Sequence, residues 1–206
     1  DGTKGTDNTT SHVVNQLDKL GYLYDYLDLQ DESIPTVNDM SEYNSIFWVT
    51  GKSGNPELTS LTALKEVKNY LNNYSDVSFF LEGDKILKQL NDRSVSMGSG
   101  SNPYSEFIND YLGIDNETIN LQSIMDHIEG KTGDALGHGI DYEMDALNSY
   151  QDFNVGKGIS IFKNEHNQVV GVRYHDQNRN FKSVSIGFDI SNIHEPAVEN
   201  EWYSGF

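Results

Sequence analysis

The sequence predicts an α/β fold, a mainly parallel sheet between helical layers with an antiparallel meander at its carboxyl end. Three observations carry this. The apolar runs "SIFWVT" (Ser45 to Thr50) and "VSFFL" (Val77 to Leu81) have the character of strands buried on both faces. Segments with apolar residues at helical spacing alternate with them, which implies crossover connections. After Gly158 the pattern changes to short β-rich runs separated by polar turns.

Taken in order, "DGTKGTDNTTS" is polar and turn-rich, and Thr10 or Ser11 can cap the helix that follows. Val13, Val14, Leu17 and Leu20 recur there at helical spacing, and Gly21 supplies the stop. "YLYDYLDL" (Tyr22 to Leu29) alternates and is rich in β-formers, so it reads as a strand. Ser45 to Thr50 is the next strand, closed by Gly51. Thr59 or Ser60 then opens an amphipathic helix in which Leu61, Leu64, Val67, Tyr70 and Leu71 share one face. The strand Val77 to Leu81 turns at Glu82-Gly83-Asp84 into a short helix running to Leu90.

The middle is less regular. "SVSMGSGSN" reads as a Gly/Ser loop, Pro103 to Gly113 as a short helix with Pro at its start and Gly at its end, "TINLQSIMDHI" as strand-like and "EGKTGDALGHGID" as loop. The meander comprises "GISIF", "VVGVRY" and "KSVSIGF", with turns at "KNEHNQ" and "HDQNRN". With no internal repeat and no long linker, residues 1–206 form a single domain. The order opens on a helix where such a fold opens on a strand, so a first strand upstream, in a larger protein, is expected.

The charge balance narrows the partners. With 32 acidic against 14 basic residues, the net charge of −18 repels nucleic acid and anionic membranes. No apolar run approaches the roughly 18 residues of a membrane span. Cysteine is absent, which removes disulfides, thiolate nucleophiles and Cys-ligated zinc together. The abundance of Asn, Ser, Asp, Tyr and Gly suits an extracellular or cell-surface protein.

The segments "LDKLGYLYDYLDL", "YNSIFWVTG", "LTALKEVKNYLNNYSDVSFFLEGD", "FINDYLGI" and "SVSIGFDI" together resemble the class I glutamine amidotransferase-like superfamily, in particular its non-catalytic branch. The resemblance implies a flavodoxin-like three-layer sandwich, and a module inside a large secreted or surface protein, often beside peptidase domains. In the catalytic family the strand ends in an elbow of the type Gly-x-Cys-x-Gly-His, whose thiol is activated by a His–Glu pair. The matching stretch is "FFLEGDK": Gly83 suits the turn, but Leu81 stands at the nucleophile position and cannot attack a carbonyl. Asp189 and Ser191 stand where the His and Glu belong, and His194-Glu195 lies a few residues beyond. The resemblance therefore implies a domain without amidotransferase activity.

Other residues hold chemistry of their own. Thr50, Gly51, Glu82, Gly83 and Asp84 form a candidate ligand corner beyond the strand ends, where open α/β sheets bind ligands. Glu82 and Asp84 there could work as an acid/base pair in a hydrolase; in the blander reading Asp84 opens the helix and Glu82 faces solvent. Asp141, Glu143 and Asp145 fall on one face if the chain is extended, a candidate Ca²⁺ site as against a solvated acidic edge. Asp1, Asp7 and Asn8 offer weaker calcium ligands without the spacing of an EF-hand loop. The six histidines show no zinc spacing, and Gly137-His138-Gly139 reads as a loop.

The leading expectation is a non-catalytic structural or binding module of a larger extracellular protein, with no cofactor. Its partners would be other domains of the same polypeptide and a protein or glycan ligand, without nucleic acid or membrane insertion. A carboxylate-based hydrolase and a calcium-stabilised adhesion or carbohydrate-binding module are the alternatives.

Overall fold

The computed structural model describes residues 9–29, 33–52, 58–98, 102–147 and 149–193. Helix α1 (Thr9–Leu20) comes first, and the short α2 (Val37–Met40) is closed by a reciprocal Thr36–Asp39 capping box. Strand β1 (Ser45–Val49), helix α3 (Leu61–Asn73), strand β2 (Val77–Glu82), helix α4 (Ile86–Met97) and helix α5 (Pro103–Asp110) follow. Ser60 caps α3 by accepting from the Ala63 amide, and Asn102 caps α5 ahead of Pro103. The remainder is β-rich: β3 (Asn120–Gln122), β4 (Met125–Gly130), β5 (Asp141–Leu147), β6 (Tyr150–Asp152), β7 (Ile159–Asn164), β8 (Val169–Asp176) and β9 (Phe181–Ile186).

Seven strands make one mixed sheet in the order β1-β2-β9-β8-β7-β4-β5, while β3 and β6 pair separately. Only the β1–β2 and β2–β9 pairings are parallel; β9–β8, β8–β7, β7–β4 and β4–β5 are antiparallel. The sheet curls into a half-barrel. This overturns the flavodoxin-like three-layer sandwich with a mainly parallel sheet. The physical reason lies in the connections. Parallel neighbours need a long crossover, whereas tight turns impose antiparallel pairing. The turns between β7 and β8 and between β8 and β9 each contain an Asn at positive φ, Asn167 (61°) and Asn180 (54°), a conformation Asn tolerates well. The irregular middle third then contributes β4 and β5 to the same sheet; the strand-like reading of "TINLQSIMDHI" covers β3 and the first residues of β4.

Two further expectations change. Tyr22 to Leu29 is not a strand: it belongs to neither sheet among the described residues, and its alternation goes into packing. Tyr24 packs against one core, and Leu27 and Leu29 belong with the other. The stretch Ser94 to Met97, read as the start of a loop, completes α4 instead.

The sheet separates two cores. Period-two geometry sends Phe79 and Leu81 of β2 to one face and Phe80 to the other. The first core holds the apolar faces of α3, α4 and α5; the second is formed by α1 with the curled antiparallel strands. All six residues of β2 are buried, as befits a strand covered on both sides. Through the first core runs a chain of rings from Trp48 to Phe79 (6.1 Å), Phe107 (6.1 Å), Tyr111 (5.8 Å) and Phe181 (5.6 Å). The Arg179 guanidinium lies 4.2 Å from the Tyr111 ring centre, and its Nη2 donates to the Asp110 carbonyl at 2.7 Å, binding the end of α5 to the β8–β9 turn.

Phe107 touches two of these rings and is almost wholly buried, so Phe107→Ala should lower unfolding free energy by about 3–5 kcal/mol. Urea denaturation measures this, and a loss under about 1 kcal/mol would mean that the ring chain is not a packed unit.

Candidate functional site

The carboxyl ends of β1, β2 and β9 meet at one corner, and there the structure brings together Thr50, Gly51, Glu82, Gly83 and Asp84. Two bonds join the end of β1 to the Glu82 carbonyl, one from the Thr50 amide (3.1 Å) and one from its hydroxyl (2.9 Å). The Gly83 amide donates to the Ile186 carbonyl (3.3 Å) and the Asp84 amide to the Gly51 carbonyl (3.1 Å). Gly83 has φ +149°, and a Cβ there would lie 1.9 Å from Thr50 Oγ1. Only glycine fits the turn. Leu81, at the position a nucleophile would need, has no exposed surface.

Glu82 does not face solvent. Its side chain is fully buried, Oε2 accepting from the Gly51 amide (3.2 Å) and Oε1 from the Ile190 amide (3.2 Å). The strand direction decides this: β2 is covered on both faces, so its last side chain points into protein whichever face it takes. Burial pushes the Glu82 carboxyl well above the usual carboxylate range, and the charge of Asp189 adds to the effect. The amides of Gly51, Ile190 and Thr50 pull the other way without prevailing. Burial and the neighbouring charge thus both work against the charged form.

Asp189 is buried as well, and it caps the short 3-10 turn Ile190–Asn192 after β9. Its Oδ1 accepts from the Thr9 hydroxyl (2.7 Å), the Ser191 amide (2.9 Å) and the Ser191 hydroxyl (2.7 Å). Its Oδ2 accepts no hydrogen bond among the described residues, and Lys52 Nζ stands 3.8 Å from it. Asp84 does not cap α4, because Lys85 occupies the N-cap position without a side-chain bond; Asp84 instead accepts from the Ser149 hydroxyl. Gln151 spans the corner from behind, donating to the Gly83 carbonyl (2.7 Å) and accepting from the Lys88 amide (2.5 Å). Sequence reasoning missed Ser149 and Gln151, which sit in an unremarkable stretch about 65 residues from their partners. The cue for Asp189 was available, since Asp-x-Ser is a local capping pattern.

The acidic run lies elsewhere, on β5 at the edge of the sheet opposite β1. Asp141, Glu143 and Asp145 share an exposed face there, while Tyr142 and Met144 are buried. His127 of β4 stands between two of them, 3.2 Å from Asp141 and 3.6 Å from Glu143. No group of three or more His, Asp or Glu placed to hold a metal ion occurs among the described residues. The calcium expectation thus finds no site in them, and Asp1, Asp7, Asn8, His194 and Glu195 lie outside. His138 accepts from the Gly133 amide at 3.1 Å within its own loop.

No family model matches the chain, and no curated protein matches it by sequence. Solved structures do resemble it. The cytoplasmic protein STM3548 of Salmonella typhimurium aligns with a TM-score of 0.62 at 12% identity, covering 95% of this chain and 84% of that one. The β-galactosidase of Rahnella sp. R3 aligns at 0.58 and 10% identity, covering 96% of this chain and 26% of that one. The cytoplasmic protein STM1381 of Salmonella typhimurium LT2 aligns at 0.58 and 11% identity, covering 94% and 80%. At such identities the likeness is one of fold alone. The chain spans about a quarter of the β-galactosidase's length. These neighbours and the curled mixed sheet correct the amidotransferase-like assignment, and names that include cytoplasmic proteins lend nothing to the expectation of secretion. Among the described residues no helix is long and apolar enough to cross a membrane.

Two outcomes follow from the corner. Because the fold raises the Glu82 pKa, its contribution to stability is full below the unfolded value of about 4.3 and is lost as pH rises through the raised folded value. Glu82→Gln should flatten the stability profile over that interval, read from urea melts at about pH 5 and about pH 8; parallel profiles for the two chains would contradict the buried acid. Gly83→Ala should cost about 3 kcal/mol through collision with Thr50, and an unchanged melting temperature would refute that collision.

Proposed function

We propose that this domain is a non-catalytic structural or binding module of a larger polypeptide. The observation that carries the reading is the state of the corner. Leu81 is sealed, and the buried Glu82 carboxyl is engaged by the protein's own backbone amides, so no reacting group is offered to a substrate. The Ser149 hydroxyl is turned to Asp84, to which it donates. The β-galactosidase likeness supports the modular part of the reading, since there a similar fold occupies a quarter of a longer chain.

One specific observation favours the hydrolase reading: a buried acid with a raised pKa beside a second buried carboxylate is how paired acids take separate roles. Against it stands the want of any route for substrate to a side chain with no exposed surface.

An activity screen separates the two. The purified chain, given glutamine, a chromogenic ester and a chromogenic β-galactoside, should show no turnover above buffer, and Glu82→Gln should change nothing. Turnover that disappears in the folded Glu82→Gln chain would replace the module with an enzyme.

A further inference from the structure

The edge of the sheet at β1 opens onto a cleft of about 920 Å³. One wall is β1 itself, the other is the extended stretch Tyr22 to Leu29, and α1 contributes Val13 and Leu17. Among the described residues β1 pairs only with β2, and the bonds at its ends fix which way its backbone groups turn. The Asn44 carbonyl accepts from Ser78 and the Thr50 amide donates to Glu82. By the alternation of a strand, Ser45 and Val49 direct their amide and carbonyl groups to the outer side, into the cleft. An edge of this kind is a template for another strand.

Both cores reach the cleft. On β1, Trp48 belongs to one and Val49 to the other; across the cleft, Leu29 belongs to the first while Tyr24 packs on the second. Trp48 also carries a buried indole N–H with no acceptor among the described residues. A strand lying between the two walls would be covered on both faces, which calls for an unbroken Val/Ile/Leu run. Asp25 and Glu42 line the cleft near the start of β1, where they favour a basic residue at the occupant's amino end.

The direction and source of the strand follow from α1. Thr9, its first residue, hydrogen-bonds Asp189 just beyond the carboxyl end of β9, and α1 then packs Val13 and Leu17 with Val49 and Phe80. A strand that leads into α1 must finish at that carboxyl end and so run parallel to β1, as in a strand–helix unit. Eight residues precede Thr9, a contour of roughly 26–29 Å, which suffices for the connection. We propose that the cleft is a strand-binding site, filled by an extended Val/Ile/Leu-rich segment of the same polypeptide that precedes Asp1 and pairs in parallel with β1. A second copy of the chain fits poorly, because the wall at Tyr22 to Leu29 stands in its way and the net charge of −18 opposes it. The inference rests on the module reading.

The test compares two chimeras of the chain, one with an eight-residue Val/Ile-rich strand joined ahead of Asp1 and one with two prolines in that strand; a free peptide of the first sequence is a third arm. Hydrogen exchange at the Ser45 and Val49 amides should slow by at least ~tenfold in the first chimera relative to the proline chimera. Its melting temperature should rise by about 5 °C or more. Equal exchange and equal melting in the two chimeras would overturn the proposal, as would a strand chimera that fails to fold where the proline chimera folds. Protection by the free peptide without protection by the fused strand would overturn the same-polypeptide source. Turnover in the activity screen would sink the non-catalytic reading and leave this exchange result standing.

Discussion

Burial of the Glu82 carboxyl sets a condition that the centre of the sheet has to meet. A carboxylate taken out of water without compensation costs several kcal/mol, so the group needs its proton, donors or both. It has both. The donors come from different parts of the chain, Gly51 after β1 and Ile190 after β9, and each is in place only if the three parallel strands end at the same level. Slipping β1 against β2 by one residue would exchange every side chain between the two cores and take Gly51 away from the acid. The Thr50 hydroxyl in the space beside Gly83 and the Gln151 amide against the Gly83 carbonyl complete the same lock.

Around this lock the molecule has two halves with different logic. From β1 to α4 the chain builds by crossover, and α3 and α4 bury their apolar faces on one side of the sheet. From β7 to β9 it builds by tight turns. Strand β9 belongs to both halves, parallel to β2 on one side and antiparallel to β8 on the other. The second core is correspondingly unlike the first, a single helix lying against curled strands.

What was legible in the sequence follows the same division. The runs at Ser45 and Val77 and the faces of α1 and α3 could be read because burial on both sides or on one stripe leaves a periodicity. The sheet's overall character could not, because β4 and β5 are joined to it through a loop whose residues carry no strand pattern. Tyr22 to Leu29 has every local property of a strand, yet a strand is defined by its ladder, and pairing is not a local property. The corner was legible as a set of neighbours, since strand ends converge in such sheets. Its electrostatics was not: nothing local to Glu82-Gly83-Asp84 tells that Ile190 will reach across to the first carboxyl or Ser149 to the last.

The pairing of Val77 with Phe181 joins residues 104 positions apart, across most of the chain's elements. Contacts of such separation form late, because the loop between them must close before any energy is gained. As the chain leaves the ribosome, β2 therefore waits with one flank bare and its apolar residues exposed until the last described strand has been made. For that interval β1 and the helices α1, α3, α4 and α5, all made earlier, are what shields it. Misassembly between two nascent copies at the exposed flank of β2 is the hazard this topology creates, and speed of synthesis past residue 186 becomes a determinant of yield.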